Sequence, residues 1–152
     1  MPDSSLALSI EKGYALLMAH SNVVAIINTS PDVVQMLRTA TESAGYVVFT
    51  AFTHEIRDGV IDIERFIRQH QPKVIVYDIA PPYDANWQLF EHLRDLEVMD
   101  NRVFVLTSVS PHHVEKLAGP DRKVFEVVGK PFDLDLIVDA VHQALNSRPV
   151  GR

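Results

Sequence analysis

The sequence predicts an α/β fold in which a parallel β-sheet is covered by helices on both faces. Five short runs of β-branched and aromatic residues alternate with segments whose apolar residues recur at helical spacing. Apolar runs without polar alternation are typical of strands buried on both faces, as in parallel sheets. The clearest run is Val-Ile-Val-Tyr-Asp at positions 74–78, and it ends in a carboxylate.

The strands are predicted from these runs, at residues 22–27, 46–51, 74–78, 102–106 and 124–128. Ser30 and Pro31 supply an N-cap and a first-turn proline for the first helix. Gly45 supplies the left-handed residue that ends it. The first strand and helix therefore have clear sequence boundaries.

The second helix is predicted to be capped by Thr53 and to break near Asp58-Gly59. Two more helices are expected at 87–96 and near 111–118. Asp133 is predicted to cap the last helix, whose apolar face includes Ile137 and Val141. Strand and helix thus alternate five times along the chain.

This order, with short connections, implies right-handed crossovers and a doubly wound (βα)5 sheet. The predicted arrangement is flavodoxin-like, with strand order 2-1-3-4-5. Residues 22–146 are assigned to this domain. Residues 1–21 form an N-terminal extension with enough apolar residues for a short helix, and 147–152 are expected to be a flexible tail.

Composition narrows the classes of function. A chain of 152 residues with 47% hydrophobic and 22% charged residues is long enough for one core and too short for two ordinary domains. The net charge of -6, without a Lys/Arg cluster, argues against nucleic acid as a ligand. No apolar run approaches the roughly 20 residues needed to span a bilayer, and there are no cysteines. We therefore expect a cytoplasmic protein that binds neither nucleic acid nor membrane.

Polar side chains follow three successive predicted strands. Asp78 ends the third strand, Thr107 the fourth, and Lys130 comes directly after the fifth. Because the carboxyl ends of parallel strands share one edge, where ligands bind in open α/β sheets, these groups are expected to form one site.

In their order and spacing these residues resemble the receiver domain of two-component response regulators. The resemblance covers about residues 22–145 and rests on Asp78, Pro82 four residues later, Thr107 followed by Ser108, and the triplet Lys130-Pro131-Phe132. It implies that Asp78 accepts a phosphoryl group from a histidine kinase or a phosphotransfer protein. It also implies that Thr107 contacts that group as a switch and that Lys130 pairs with its oxygens, as a carboxylate nucleophile requires.

The chain departs from the family pattern after the first strand. Receivers place an acidic pair there that holds Mg²⁺ together with the phosphoacceptor aspartate, whereas this sequence has Asn28 and Thr29. Neutral oxygens make a poor site for Mg²⁺, which usually requires one or two carboxylates. We expect no metal to bind tightly, Mg²⁺ to bind weakly if at all, and no other cofactor.

Two further departures concern signalling. Receivers carry an aromatic residue three positions before the lysine, where this chain has Val127, with Phe125 two positions earlier. This puts the usual response of the surface to phosphorylation in doubt. The segment from Tyr46 to Asp78 is also long, and the surplus is expected at residues 52–59, as a lid or a partner contact.

Three functions remain open. The Asp-Thr-Lys set favours a stand-alone receiver of a phosphorelay, which is no enzyme beyond its own phosphorylation at Asp78. The missing acidic pair favours a pseudo-receiver that acts as a protein-interaction adaptor. Binding of a small flavin-type anion at Asn28–Ser30 ranks lowest, since that turn lacks glycine. Other signalling proteins are the expected partners, and the apolar extension and last helix suggest a homodimer.

Overall fold

The computed structural model describes residues 22–120, 123–129 and 134–146. Its five strands form one parallel sheet in the order β2-β1-β3-β4-β5, which confirms the predicted topology. The strands are Val23–Asn28 (β1), Val47–Phe52 (β2), Val74–Asp78 (β3), Val103–Ser108 (β4) and Val124–Gly129 (β5). The predicted N-terminal extension, the tail, Lys130 and the capping role of Asp133 lie outside the described residues.

Helices follow the strands in regular alternation. They are Pro31–Ser43 (α1), Thr53–Arg57 (α2), Ile63–His70 (α3), Tyr83–Arg94 (α4), Pro111–Ala118 (α5) and Leu134–Asn146 (α6), with a 3₁₀ turn at Glu97–Met99. No helix in these described segments is long and apolar enough to cross a membrane.

Both faces of the sheet are covered by apolar side chains. On one face, strand residues such as Ile26, Val76 and Val105 pack against Leu37 of α1 and Val141 of α6. On the other face, the strands pack against apolar residues of α2 to α5, chiefly Ile56, Ile67, Phe90 and Val114. This three-layer arrangement explains why the strands read as continuous apolar runs.

The segment after β2 differs in detail from its prediction. Thr53 is the first residue of α2 rather than its cap, and its hydroxyl is buried without a hydrogen-bond partner among the described residues. Phe52 takes the capping position, where its N–H donates to Glu55 Oε1 over 3.3 Å. The predicted break is confirmed, because α2 ends at Arg57 and Gly59 has a φ of +76°, which favours glycine.

The helix after β3 begins at Tyr83, four residues earlier than predicted. Asp84 lies in its first turn, where a carboxylate interacts favourably with the helix dipole. The Asn86 side chain donates from Nδ2 to the Ala80 carbonyl over 2.7 Å, which ties the start of the helix to the loop after β3. The apolar period alone did not reveal these polar first-turn residues.

Candidate functional site

The candidate site lies at the carboxyl edge of the sheet. Asn28 and Asp78 are the last residues of β1 and β3, and Thr107 is the second-last residue of β4. By strand alternation each lies on the sheet face that packs against α1 and α6. All three are buried, so the fold places polar groups from three strands at one edge and on one face.

Asp78 and Thr107 form the centre of this site. They are paired positions in the β3–β4 register, and Thr107 Oγ1 donates to Asp78 Oδ1 over 2.6 Å. Asp78 is 3% exposed and Thr107 is fully buried. The Ile79 N–H donates to the Thr107 carbonyl over 2.9 Å, so the backbone holds the two strand ends together as well. The predicted pairing of the acid and the hydroxyl is therefore present.

Asn28 has a well-defined orientation. Its Oδ1 accepts from the Thr29 N–H over 2.6 Å and from the Ser30 N–H over 3.1 Å. Its Nδ2 is buried and has no hydrogen-bond partner in the described part of the chain. Thr29, the other residue at the position of the acidic pair, is exposed. The two residues at the position of the acidic pair therefore differ: Asn28 is buried and Thr29 is exposed.

The third predicted group, Lys130, lies outside the described residues. The strand that precedes it is described up to Gly129, which pairs with Ser108 at the same edge. A Cβ built on Gly129 would lie 3.0 Å from Pro111 Cγ, so the end of β5 fits closely against the start of α5. Ser108 is itself buried, and its Oγ accepts from the Ser110 N–H over 3.1 Å.

The donor atoms at this edge do not fit a strong Mg²⁺ site. The Asn28 oxygen already accepts two backbone N–H groups, and Thr29 is an exposed hydroxyl. The described residues contain no group of three His, Cys, Asp or Glu side chains that could hold a metal ion. Asp78 is the one carboxylate among the three strand-end residues, and Mg²⁺ usually requires more carboxylate oxygen than that.

Tyr77, the residue before Asp78, is a feature that sequence analysis missed. Its ring is buried on the opposite face of the sheet, tilted against Phe90 at a centroid distance of 5.2 Å. Its hydroxyl is buried without a hydrogen-bond partner in the described segments. Burial raises the pKa of the Tyr77 phenol, the Asp78 carboxylate raises it further, and Arg57 opposes both. The available signal was a tyrosine that follows three apolar residues in a buried strand, because buried phenols normally find a partner.

The segment proposed as surplus contains the short helix α2, which begins immediately after β2 at the same edge as Asn28. Asn28 and Phe52 are paired in the β1–β2 register. Val127, which stands at the position where receivers carry an aromatic residue, pairs with Leu106 and is half-buried against the α2–α5 side of the core. Of the sequence-predicted site residues, the structure thus brings together Asn28, Asp78 and Thr107.

Known proteins resemble this chain in part of its sequence and in its fold. No protein-family model matches the chain. The chain is 33% identical over 96 residues to an uncharacterised response regulatory protein of Staphylococcus epidermidis, covering 61% of this chain. It is 35% identical over 95 residues to one from another strain of that species. These alignments span 36% of each relative, so the chain corresponds to about a third of their length.

Solved structures share the fold. The receiver domain of Francisella response regulator 1452 superposes with a TM-score of 0.64 and 21% identity, covering 82% of this chain and 96% of that one. A response regulator from Thermotoga maritima gives a TM-score of 0.64 at 17% identity, with 82% and 98% covered. The chemotaxis response regulator CheY4 of Vibrio cholerae gives 0.61 at 18%, with 80% and 97% covered.

Proposed function

We propose that this chain carries a response-regulator receiver domain and that it is a phosphorelay receiver in which Asp78 is the phosphoacceptor. Its similarity to part of two response regulatory proteins, and the fold that it shares with receivers of known structure, support this proposal. The phosphoryl donor is a histidine kinase or a phosphotransfer protein. The receiver output is passed to other signalling proteins. In this role the protein is not an enzyme with turnover, because its one reaction is its own modification.

The observation that carries the proposal is the contact between Asp78 and Thr107. A buried carboxylate with a hydroxyl 2.6 Å away, at the ligand-binding edge of a parallel sheet, has both the nucleophile and a donor for the group it would receive. An Asp that merely capped the turn before Pro81-Pro82 would need no hydroxyl from the neighbouring strand.

The proposed reaction is a simple displacement at phosphorus. A carboxylate oxygen of Asp78 attacks the phosphorus of a phosphohistidine, the P–N bond breaks, and the imidazole leaves as the electron pair returns to nitrogen. Thr107 then redirects its hydrogen bond from the carboxylate to a phosphoryl oxygen, which would signal the modification to β4. From the resemblance, Lys130 is proposed to pair with the phosphoryl oxygens. Such transfers depend mainly on positioning and electrostatic stabilisation.

We further propose that this reaction depends only weakly on Mg²⁺. Asn28 and Thr29 provide no carboxylate, and the Asn28 oxygen is engaged by the backbone. We propose no other cofactor for this reaction.

Intact-protein mass spectrometry tests this function. Wild type and Asp78→Asn are incubated with a small acyl phosphate, with Mg²⁺ and with a chelator. We expect wild type to gain one phosphoryl group and Asp78→Asn to gain none. An unmodified wild type, under conditions that load an ordinary receiver in parallel, would leave the adaptor function in its place.

The adaptor function is the second candidate. It is favoured by the amide of Asn28, which stands where receivers have a carboxylate. Loss of the carboxylates that hold the metal removes a main electrostatic contribution to phosphoryl transfer, while the fold and its surfaces persist. The half-buried Val127 also lacks an aromatic ring that could swing inward. In that case partner binding would be the same for wild type and Asp78→Asn.

The hydrogen bonds of Asn28–Ser30 argue against the third alternative, in which this turn binds a small anion. The N–H groups of Thr29 and Ser30 already donate to Asn28 Oδ1, and Ser30 Oγ accepts from the Val33 N–H over 3.4 Å. These contacts occupy the donors that an anion would use.

Location and assembly are also proposals. We propose that the protein works in the cytoplasm, where two-component partners would be available, and that it forms a homodimer through its apolar extension and last helix. Small-angle scattering over a concentration series measures the mass in solution. A monomer mass throughout that series would rule out the dimer.

A further inference from the structure

The Asn28 side chain cannot be flipped without cost. Its oxygen accepts two backbone N–H groups, so the reverse orientation would place the NH₂ group against two donors. The hydrogen bonds therefore assign Oδ1 to the turn and Nδ2 to the opposite side. This assignment matters because Nδ2 is the atom that has no partner among the described residues.

The unpaired Nδ2 lies next to the phosphoacceptor strand. In the β1–β3 register the last recorded pair is Ile27 with Tyr77, and the next residue on each strand is Asn28 and Asp78. Both side chains lie on the face that packs against α1 and α6, and Asn28 is 1% exposed. A buried donor without an acceptor is unfavourable, so the Asn28 Nδ2 group would gain from an acceptor that enters the site.

We propose that the Asn28 side-chain amide donates a hydrogen bond to the phosphoryl group on Asp78 and thereby replaces the divalent cation. This inference rests on the proposed function. A neutral donor cannot hold a metal ion but binds an anionic oxygen directly, and hydrogen bonds to charged oxygens are about twice as strong as neutral ones. The chain would then be a receiver that is phosphorylated without Mg²⁺. Asn28 would be the residue that makes the reaction independent of the metal ion.

The reaction with a small acyl phosphate is balanced without a metal. An Asp78 oxygen forms a bond to phosphorus, the P–O bond to the acyl group breaks, and the carboxylate of the donor leaves with the electron pair. Two negatively charged reactants approach each other in this step. A donor that points at the transferring oxygens lowers that repulsion.

The experiment measures the initial rate of phosphoryl gain by mass spectrometry, with chelator or with Mg²⁺, for wild type, Asn28→Asp, Asn28→Ser and Asp78→Asn. We expect wild type to be loaded at rates within about twofold in the two conditions. Asn28→Asp removes the donor and supplies a carboxylate, so its rate in chelator should fall by about 10- to 100-fold and Mg²⁺ should restore it. Asn28→Ser should be slow in both conditions, because it keeps an oxygen for the turn but has no amide.

The outcomes separate the two proposals. Wild type that is loaded with Mg²⁺ but not in chelator would overturn the role of Asn28 and leave Asp78 as the phosphoacceptor. Wild type that is loaded in neither condition would overturn both. An Asn28→Ser rate equal to wild type in chelator would also overturn the role of the amide. Circular dichroism and a urea midpoint establish that each variant is folded. Thr39→Ala, at an exposed position of α1 outside the site, is the control.

Discussion

The Thr107 hydroxyl donates a hydrogen bond to the buried Asp78 carboxylate across the β3–β4 ladder, over 2.6 Å. This contact joins the proposed nucleophile to the strand that would respond to its modification. Because the two residues are register partners joined by this hydrogen bond, a change in the charge of the carboxylate would alter a direct contact with β4.

Thr107→Val tests the contribution of this hydrogen bond. Valine keeps the shape and β-branching of threonine but leaves the Asp78 carboxylate without this donor, so we expect a loss of about 1–2 kcal/mol in the free energy of unfolding. Urea denaturation measures the change. Thr107→Ser keeps the hydroxyl and should retain more of the phosphoryl gain than Thr107→Val.

Thr41→Val is the matched control for that substitution. Thr41 of α1 is also buried, but its hydroxyl has no hydrogen-bond partner in the described structure. Replacing an unpaired buried hydroxyl by a methyl group should leave stability unchanged or raise it. Equal losses for Thr41→Val and Thr107→Val would show that the Thr107 hydrogen bond contributes nothing specific.

Tyr77→Phe removes the unpaired buried hydroxyl beside Asp78. At neutral pH we expect the free energy of unfolding to stay the same or to rise by up to about 1 kcal/mol, since no hydrogen bond is lost. A clear loss of stability in urea denaturation would show that the hydroxyl has a partner, such as a bound water molecule.

The same residue predicts a stability change at high pH. Burial, and then the charge of Asp78, raise the pKa of Tyr77 above its ordinary value of 10.0. The unfolded chain therefore releases the phenol proton first as pH rises through 10, and the folded state becomes relatively less stable. We test this between about pH 8 and pH 11, a range that includes the ordinary pKa of tyrosine. Over this range the urea midpoint of wild type should fall more than that of Tyr77→Phe. Burial also raises the pKa of Tyr46, so Tyr46→Phe measures how much of the fall in the urea midpoint comes from that second phenol.

His70 predicts the opposite behaviour in acid. Its ring stacks on that of Phe49 at a centroid distance of 3.8 Å and forms a T-shaped pair with Phe66 at 4.8 Å. Burial lowers the pKa of His70 from its ordinary value of 6.5. The unfolded chain gains the proton first, so stability should fall as pH drops below about 6.5. NMR titration of the imidazole should give a midpoint below that of a free histidine. The acid-induced fall in the urea midpoint should be smaller in His70→Gln.

Gly129→Ala tests the close contact between the end of β5 and α5. The added Cβ would lie 3.0 Å from Pro111 Cγ, and a proline ring in the first turn of a helix moves little, so we expect a loss of about 1 kcal/mol or more. The double mutant with Pro111→Ala should recover part of that loss. Purely additive free energies of unfolding in this cycle would show that the two residues do not interact.

Strand positions and topology were predictable from the sequence because both depend on local patterns. The apolar runs gave the five strands to within one or two residues, and short connections with right-handed crossovers left one economical order. The helix after β3 was predicted too short, because its first turn is held by a polar contact from Asn86 to Ala80 that an apolar period does not reveal. Thr53 was assigned a capping role, but Phe52 occupies the cap position, and its N–H donates to Glu55 Oε1.

The sequence by itself determined which chemical groups stand at the strand ends: Asp78, Thr107, and an amide at Asn28 in place of a carboxylate. Only the tertiary structure decided what those groups do to one another. It directed the Thr107 hydroxyl to Asp78, turned the Asn28 oxygen to the backbone and left its Nδ2 unpaired in the described residues. Strand identity follows from patterns of neighbouring residues, whereas hydrogen bonds between strands depend on register and orientation, which are set when distant segments pack together.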